Sequence, residues 1–490
     1  MAARIVVHGH FYQPPREDPW TGQIDPQPTA APFHDWNERV HAESYLNNVF
    51  ADLETEAGEV VVNNFERLSF NVGPTLMSWM EKMHPRTYAR ILHADSKSIE
   101  RLGRGNAIAQ SFHHTILPLS NMRDVRTEVR WGLADFRYRF SRDAEGIWLP
   151  ETAVNDDVLG ILIEEGVAFT ILAPYQAGAW RRPGEDWVDV PTNGIDTRVA
   201  YRYLHPDGSG RSLSLFFYDG DIAKAIAFEN AMVSAEGFID MFASHWEDDA
   251  HLIHAATDGE TYGHHQKFGE IGLAYALFVA AEQRGVEVTN YSAYLEKHPA
   301  ELEAKLAAGE GTSWSCAHGV ARWKEDCGCV TGGEPGWDQR WRAPLRGGLD
   351  IIRVACEEVF ERLGASLFND PWAARDDYVD VVLGAGSFDD FLAAHAARPV
   401  DDAARSQAQN LLELQRNSMS MFTSCGWFFS DVAGIESVQV LRYAARTLDL
   451  LDALGQPSPK DEAMAILAKA KSNQPAAETA ADLLARALAR

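Results

Sequence analysis

The sequence predicts an α/β protein: an irregular seven-stranded barrel built from alternating strands and helices, followed by an α-helical bundle. Three observations carry this. Over roughly the first 260 residues, short apolar or β-branched runs alternate with stretches of helical spacing, the pattern of a parallel sheet with crossover helices. Seven such runs can be counted, enough to close an imperfect barrel. From Leu349 onward no strand pattern survives, and apolar residues recur at helical spacing to the end.

In order, the expected strands are Arg4 to Val7, Val60 to Asn63, Ala107 to Gln110, Gly146 to Leu149, Phe169 to Leu172, Ser212 to Tyr218 and His251 to Ala256. Each is short and bounded by turn residues. The helical stretches between them are Asn37 to Leu53, Pro85 to Leu102, Asp124 to Phe136, Asp156 to Glu165 and Glu236 to Trp246. Ala179 to Asp207, rich in Pro, Gly, Trp and Arg, reads as an insertion with one hairpin near Val199 to Tyr203; loops of that length on a barrel tend to shape a substrate site. Beyond the seventh run come a helix from Glu270 to Arg284 and a glycine- and tryptophan-rich passage. Helices are then expected at Asp350 to Leu363, Arg375 to Val382, Phe388 to Ala396, Ala403 to Met421, Ile435 to Leu454, Asp461 to Lys471 and Ala476 to Ala489. The expected domains are a barrel over 1–310, a connecting loop over 311–348 and a helical domain over 349–490.

Composition narrows the function. The chain has 490 residues and a formal charge of -27, from 44 Lys and Arg against 71 Asp and Glu. Binding to nucleic acid or to an anionic membrane therefore has no electrostatic support, whereas a neutral sugar is compatible. The N-terminal Met1-Ala-Ala-Arg-Ile-Val-Val-His has too short an apolar run for a secretory signal, so a soluble, cytoplasmic protein is expected. Oligomeric state is not legible.

Two acids stand where an apolar run stops and turn chemistry begins: Glu151 in Trp148-Leu-Pro-Glu151 and Asp258 in Asp258-Gly-Glu260. In an α/β barrel the carboxyl ends of the strands open onto one face, so the two can meet across one mouth. Cleaving a glycosidic bond needs one protonated and one ionised carboxyl; in a retaining pair they lie about 5 Å apart. Taken singly, each acid has a plainer reading, Glu151 capping the helix near Asp156 and Asp258 opening a turn. The first strand ends in His8-Gly-His10-Phe-Tyr-Gln13-Pro14, and the third in His113-His114-Thr-Ile-Leu-Pro118; His10, Gln13 and His114 can donate to sugar hydroxyls.

These motifs, together with Ser69-Phe-Asn71-Val-Gly73-Pro74, resemble glycoside hydrolase family 57 in order and spacing over roughly residues 1 to 320. The resemblance implies a (β/α)7 barrel followed by a helical domain, and retaining chemistry on α-linked glucans of the amylase or 4-α-glucanotransferase type. It implies Glu151 as nucleophile and Asp258 as general acid and base. His10 and His114 would bind the sugar at the cleavage point, with Trp148 as a wall and Glu260, Tyr262 and His264 holding hydroxyls. No cofactor is called for, and the partner is an α-glucan or malto-oligosaccharide. Ser315-Cys316-Ala-His318, Asp326-Cys327-Gly-Cys329 and Thr423-Ser-Cys425-Gly-Trp427 resemble a subgroup of the family with an uncharacterised C-terminal region.

Trp180, Trp187, Trp314, Trp323 and Trp427 are candidate walls for a sugar, with core packing as the plainer reading. Cys316, His318, Cys327 and Cys329 could hold a structural zinc, but their spacings are tighter than usual knuckles; reduced thiols are the simpler expectation, and a Cys327–Cys329 or Cys316–Cys425 disulfide a third. Two other functions stay in view: a catalytically inert glucan-binding protein, and a metal-dependent hydrolase or deacetylase, against which the first strand supplies no aspartate beside His8 and His10.

Overall fold

The computed structural model describes residues 3–55, 58–248, 251–476 and 478–489. Met1 and Ala2 of the N-terminal motif, and Ala477 of the last expected helix, lie outside the described residues. The chain forms two compact units, each discontinuous in sequence.

The first unit comprises Met1–Gln13, Pro26–Gln110 and Arg139–Gly309. Seven strands ring it: β1 (Arg4–Phe11), β2 (Ser69–Val72), β3 (Ala109–Gln110), β4 (Gly146–Trp148), β5 (Phe169–Leu172), β6 (Ser212–Phe217) and β7 (Ile253–Asp258). All neighbours run parallel, β1 pairing with both β2 and β7, and β3 through β6 pairing in order. Two joints are thin. A lone bridge from Phe70 to Ala107 links β2 to the approach of β3, and the Asp219 N–H donates to the His254 carbonyl between β6 and β7 at 2.8 Å. Strands of a barrel are buried on both faces, so they read as short continuous runs; β1 is buried from Ile5 to Phe11.

The second strand corrects the expectation. Val60 and Val61 are exposed and belong to Gly58–Val62, which forms an antiparallel hairpin with Ala51–Thr55. A β-branched run fits any pleated surface, buried or not, and so does not announce a barrel position. The barrel strand is Ser69–Val72, within the Ser69-Phe-Asn71-Val-Gly73-Pro74 motif, and it escapes the apolar pattern because it carries Ser69 and Asn71 opposite His8 and His10. The helix expected over Asn37 to Leu53 correspondingly stops at Val49. Elsewhere the helical spacing holds closely, with Pro85–Leu102, Asp156–Glu164 and Ala235–Ser244 as crossover helices. The Asp156–Glu164 helix is capped by Asn155, whose side chain accepts from the Val158 N–H at 3.0 Å; capping is not the task of Glu151. The insertion adds Ala177–Arg181, Val188–Asp189 and Tyr201–Leu204, which with Leu302–Leu306 widen the sheet beyond β6.

The second unit takes Pro14–Asp25 and Ser111–Tyr138, both expected within the barrel domain, together with Glu310–Arg490. Its core is α1 (Arg342–Leu367), α2 (Asp402–Ser420), α3 (Ile435–Ala453), α4 (Lys460–Leu467) and α5 (Ala480–Leu488). The Ser111–Tyr138 segment is held here by Arg375, fully buried, which donates to Asp124 at 2.7 Å, Thr127 at 2.8 Å and Gln415 at 3.0 Å. A charge can be buried only where such partners meet it. No helix among the described residues is long and apolar enough to cross a membrane.

Candidate active site

Glu151 follows β4 after Leu149 and Pro150 and is almost fully buried, at 9% exposure. Its backbone lies at φ 57°, ψ 20°, and Thr152 follows at φ 49°. Side chains other than glycine enter this left-handed region at a cost on the order of 1–2 kcal/mol each. The turn is held by the Thr152 N–H donating to the Leu149 carbonyl at 2.8 Å, the Ala153 N–H donating to that of Pro150 at 2.9 Å, and the buried Gln176 amide donating to the Thr152 carbonyl at 2.8 Å. Such strain persists only where the surroundings over-determine it, and it aims one carboxylate.

Asp258 is the last residue of β7, which runs two residues beyond the expected end at Ala256. Its neighbour in register on β1 is His10. Solvent reaches Asp258, yet enough protein surrounds it that burial is the main cause pushing its carboxyl up to about 7, with the Glu151 charge second. Among the described residues no donor bonds to it, so nothing holds the charged form. The turn leaves β7 tightly: a Cβ on Gly259 would lie 2.4 Å from the Phe11 ring. That approach carries Glu260 beneath the site, where it accepts from the Tyr45 hydroxyl at 2.5 Å and the Tyr12 N–H at 3.0 Å. Burial and then the Asp258 charge push Glu260 up to about 8, against those two bonds. Three carboxyls thus share one end of the barrel, and protonation relieves their repulsion.

His10 is oriented by a residue whose role the sequence did not reveal. Asn71, on β2 and in register with His10, donates from its amide to His10 Nδ1 at 2.9 Å and to Gln110 Oε1 at 2.6 Å. Its oxygen accepts from His8 Nε2 at 3.1 Å, and the Ser69 hydroxyl donates to His8 Nδ1 at 3.0 Å. In this network His10 Nδ1 is an acceptor, so its proton sits on Nε2. Burial pushes both histidines down to about 3, so both are neutral at ordinary pH. Trp148 stacks on each ring at a centroid distance of 5.0 Å and is itself fully buried. Its expected place as a wall against sugar gives way to that of a support for His8 and His10. Among the described residues, the groups that could hold a metal ion include neither His8 nor His10.

The remaining expected residues divide. Gln13 is half-buried, its amide donating to the Tyr12 carbonyl at 3.1 Å, and His264 pairs with Glu43 beside the edge of Trp36. Tyr262 is fully buried. Trp187 has Lys305 and Arg181 over its ring, at 4.1 Å and 4.4 Å. His114, Trp314, Trp323 and Trp427 belong to the second unit. There His114 is buried at φ 57°, its ring bonded to the Ser424 hydroxyl at 2.7 Å. Trp314 is half-buried, while Trp323 and Trp427 are fully buried, donating to the carbonyls of Ser424 at 3.1 Å and Arg342 at 3.3 Å. For Trp427 packing replaces the expected sugar contact, because no face of the ring is open. All five cysteines are free thiols, which removes the disulfide alternatives.

The family model described as glycosyl hydrolase family 57 matches residues 38–307, more than half of the chain. The chain belongs to glycosyl hydrolase family 57. A second model, described as a domain of unknown function (DUF3536), matches residues 337–489. The fold is similar to that of an exo-type maltose-forming amylase from Pyrococcus sp. ST04, at 15% identity and TM-score 0.71, covering 96% of this chain and 83% of that one. It is also similar to a family 57 branching enzyme from Thermococcus kodakaraensis (14%, TM-score 0.55, 99% and 94% covered) and to an α-amylase from Thermotoga maritima (13%, TM-score 0.54, 99% of each covered). At these identities the likeness speaks for the fold of this family 57 chain. No curated protein matches it in sequence.

Proposed function

We propose that this family 57 protein is a retaining glycoside hydrolase or transglycosidase acting on α-linked glucans, of the amylase or 4-α-glucanotransferase type, with Glu151 as nucleophile and Asp258 as general acid and base. The observation that carries the reading is the coupling of two carboxyls at the carboxyl ends of β4 and β7, through which the Glu151 charge helps keep Asp258 protonated up to about pH 7. The activities named for the structurally similar proteins, an amylase, a branching enzyme and an α-amylase, support an α-glucan as the substrate class.

In the first step Glu151 attacks the anomeric carbon while the Asp258 proton passes to the glycosidic oxygen, and the leaving sugar departs. The ester at Glu151 carries no charge. The like-charge contribution to Asp258 then disappears, its proton affinity falls, and the carboxylate is ready to act as base. In the second step it takes a proton from water or from a sugar hydroxyl, whose oxygen displaces Glu151. Water gives hydrolysis and a sugar gives transfer; up to the ester the two are one reaction. His10, neutral and protonated on Nε2, is suited to donate to a sugar hydroxyl without competing for the proton of Asp258.

Maltoheptaose incubated with the enzyme tests both halves of the reading. Proton NMR of the first products should show the α-anomer before mutarotation, and chain-length analysis should show either shorter sugars only or redistributed longer ones. A first product of β configuration rejects retention, and unreacted maltoheptaose and glycogen reject the substrate class.

A further inference from the structure

The passage between Leu302–Leu306 and α1 lacks the means by which the rest of the second unit holds its shape. From Ala307 to Trp341 it contains one 3₁₀ turn, Ala321–Trp323, and no other helix or strand. Passages longer than about 15 residues without helix or strand are uncommon inside a compact unit, and one that is ordered points to a function or to a hold other than the backbone ladder. Within this one, three thiols and an imidazole converge: the side chains of Cys316, His318, Cys327 and Cys329 place one ligand atom each within 4.8 Å of all the others.

The spacings carry the argument further. The Cys316 and Cys327 sulfurs are 3.9 Å apart, those of Cys316 and Cys329 3.8 Å, and Cys329 Sγ lies 3.6 Å from His318 Nδ1. A disulfide would need about 2.05 Å. A tetrahedral zinc with Zn–S near 2.3 Å and Zn–N near 2.05 Å puts sulfurs about 3.8 Å apart and sulfur and nitrogen about 3.6 Å apart. The three separations match that tetrahedron's edges.

The surroundings match its charge. Three thiolates and one neutral imidazole around Zn²⁺ leave a net charge of about −1. Arg342, fully buried, donates to the carbonyls of Cys329 at 2.9 Å and Trp427 at 3.1 Å. Arg322, also buried, donates to Thr331 at 3.1 Å and lies over Phe428. Arg322 Nε and Arg342 Nη2 have no hydrogen-bond partner among the described residues. Two buried guanidiniums bonded only to neutral groups are costly unless an anionic centre lies near.

We propose that Cys316, His318, Cys327 and Cys329 form a structural zinc site that fixes the Glu310 to Trp341 part of this passage within the second unit, with Arg322 and Arg342 balancing its charge. All four positions are supplied by the protein, so the ion has no open position for a substrate.

The test is elemental analysis of the full-length protein, prepared without chelator or affinity metal from zinc-supplemented cells. About one zinc per chain is expected, released in step with modification of three thiols by a mercurial reagent. Cobalt introduced in its place should give the visible bands of a tetrahedral thiolate site. Cys327→Ser should fall below about one tenth of an ion per chain, whereas Cys356→Ser, in α1 and outside the cluster, should keep the full complement. Because a cysteine variant can fail to fold, His318→Cys is the second arm: it preserves four ligands, should retain zinc, and should shift the cobalt bands toward those of four thiolates. Wild-type protein with no stoichiometric metal and freely reactive thiols overturns the proposal, as does stoichiometric iron, or a His318→Cys spectrum unchanged from wild type.

Discussion

The carboxyl cluster of the first unit and the thiol cluster of the second pose the same electrostatic problem and meet it in opposite ways. Glu151, Asp258 and Glu260 crowd the carboxyl end of a barrel whose strands fix them, and the repulsion is relieved by retaining protons, with Asp258 held near 7 and Glu260 near 8. Cys316, Cys327 and Cys329 crowd an irregular passage flanked by Arg322 and Arg342. In the zinc site proposed above, the thiols would give up their protons to the metal and the guanidiniums would offset the remaining negative charge. A like-charge cluster in a protein is therefore read by its neighbours. Acids set among one another away from cations hold their protons more tightly, whereas thiols set beside guanidiniums have positive charge at hand to offset a bound metal's thiolates.

The largest test of this contrast removes the charge that supports the proton. Glu151→Gln keeps the shape of the turn and should lower kcat on malto-oligosaccharides by on the order of 10⁴-fold or more. Turnover within tenfold of wild type would show that the nucleophile lies elsewhere and that the cluster is only an electrostatic feature.

Asp258→Asn comes next, with an expected loss of about 10²- to 10⁴-fold, since proton transfer rather than the attacking group is removed. In the wild-type enzyme kcat/KM should fall as pH rises through about 7, where Asp258 loses its proton. The same shift has a stability sign. A carboxyl whose folded pKa is raised stabilises the fold fully only below its unfolded value, and that contribution is lost as pH rises through about 7. Asp258→Asn should therefore melt above wild type at pH 8 and lose that advantage in acid. A variant that melts below wild type at pH 8 would mean that the fold does not disfavour the ionised Asp258 carboxylate.

The smallest expected effect separates aiming from chemistry. Asn71→Ala unties His10 from Gln110 and His8 without touching either acid, and should cost about 10- to 100-fold in kcat/KM. The alkaline fall near pH 7 should stay where it is, because Asp258 owes its shift to burial and Glu151. If that fall moves, the histidine row and the carboxyls are one coupled network.

Much of this was legible from local pattern. Phe169 to Leu172 and Pro85 to Leu102 form the expected elements to the residue, because a short buried apolar run and an amphipathic stretch opened by proline and closed by Gly103 are local signals. Glu151 and Asp258 stood out because strand ends followed by Pro or Gly turns are visible in one dimension. Asn71 does not stand out: the β-branched Val60 to Asn63 run carries the stronger strand signal, and the register of Asn71 beside His10 appears only when Ser69–Val72 pairs with the first strand. Trp148 and Trp427 were visible as aromatic residues but not as buried ones, since a tryptophan looks the same on a wall and in a core.

Reading along the chain is enough to find the alternation that builds a seven-stranded barrel, the two acids near its strand ends, and the helical character of the C-terminal third. These follow from periodicity and turn chemistry, which act over a few residues. The assembled fold was needed to see that Pro14–Asp25 and Ser111–Tyr138 leave the barrel's unit for the other, that Asn71 sets the proton on His10, and that the Ser424 hydroxyl meets the His114 ring. Each of these depends on which distant residues meet. That choice is made by burial and hydrogen bonding across the whole fold, and no local window contains it.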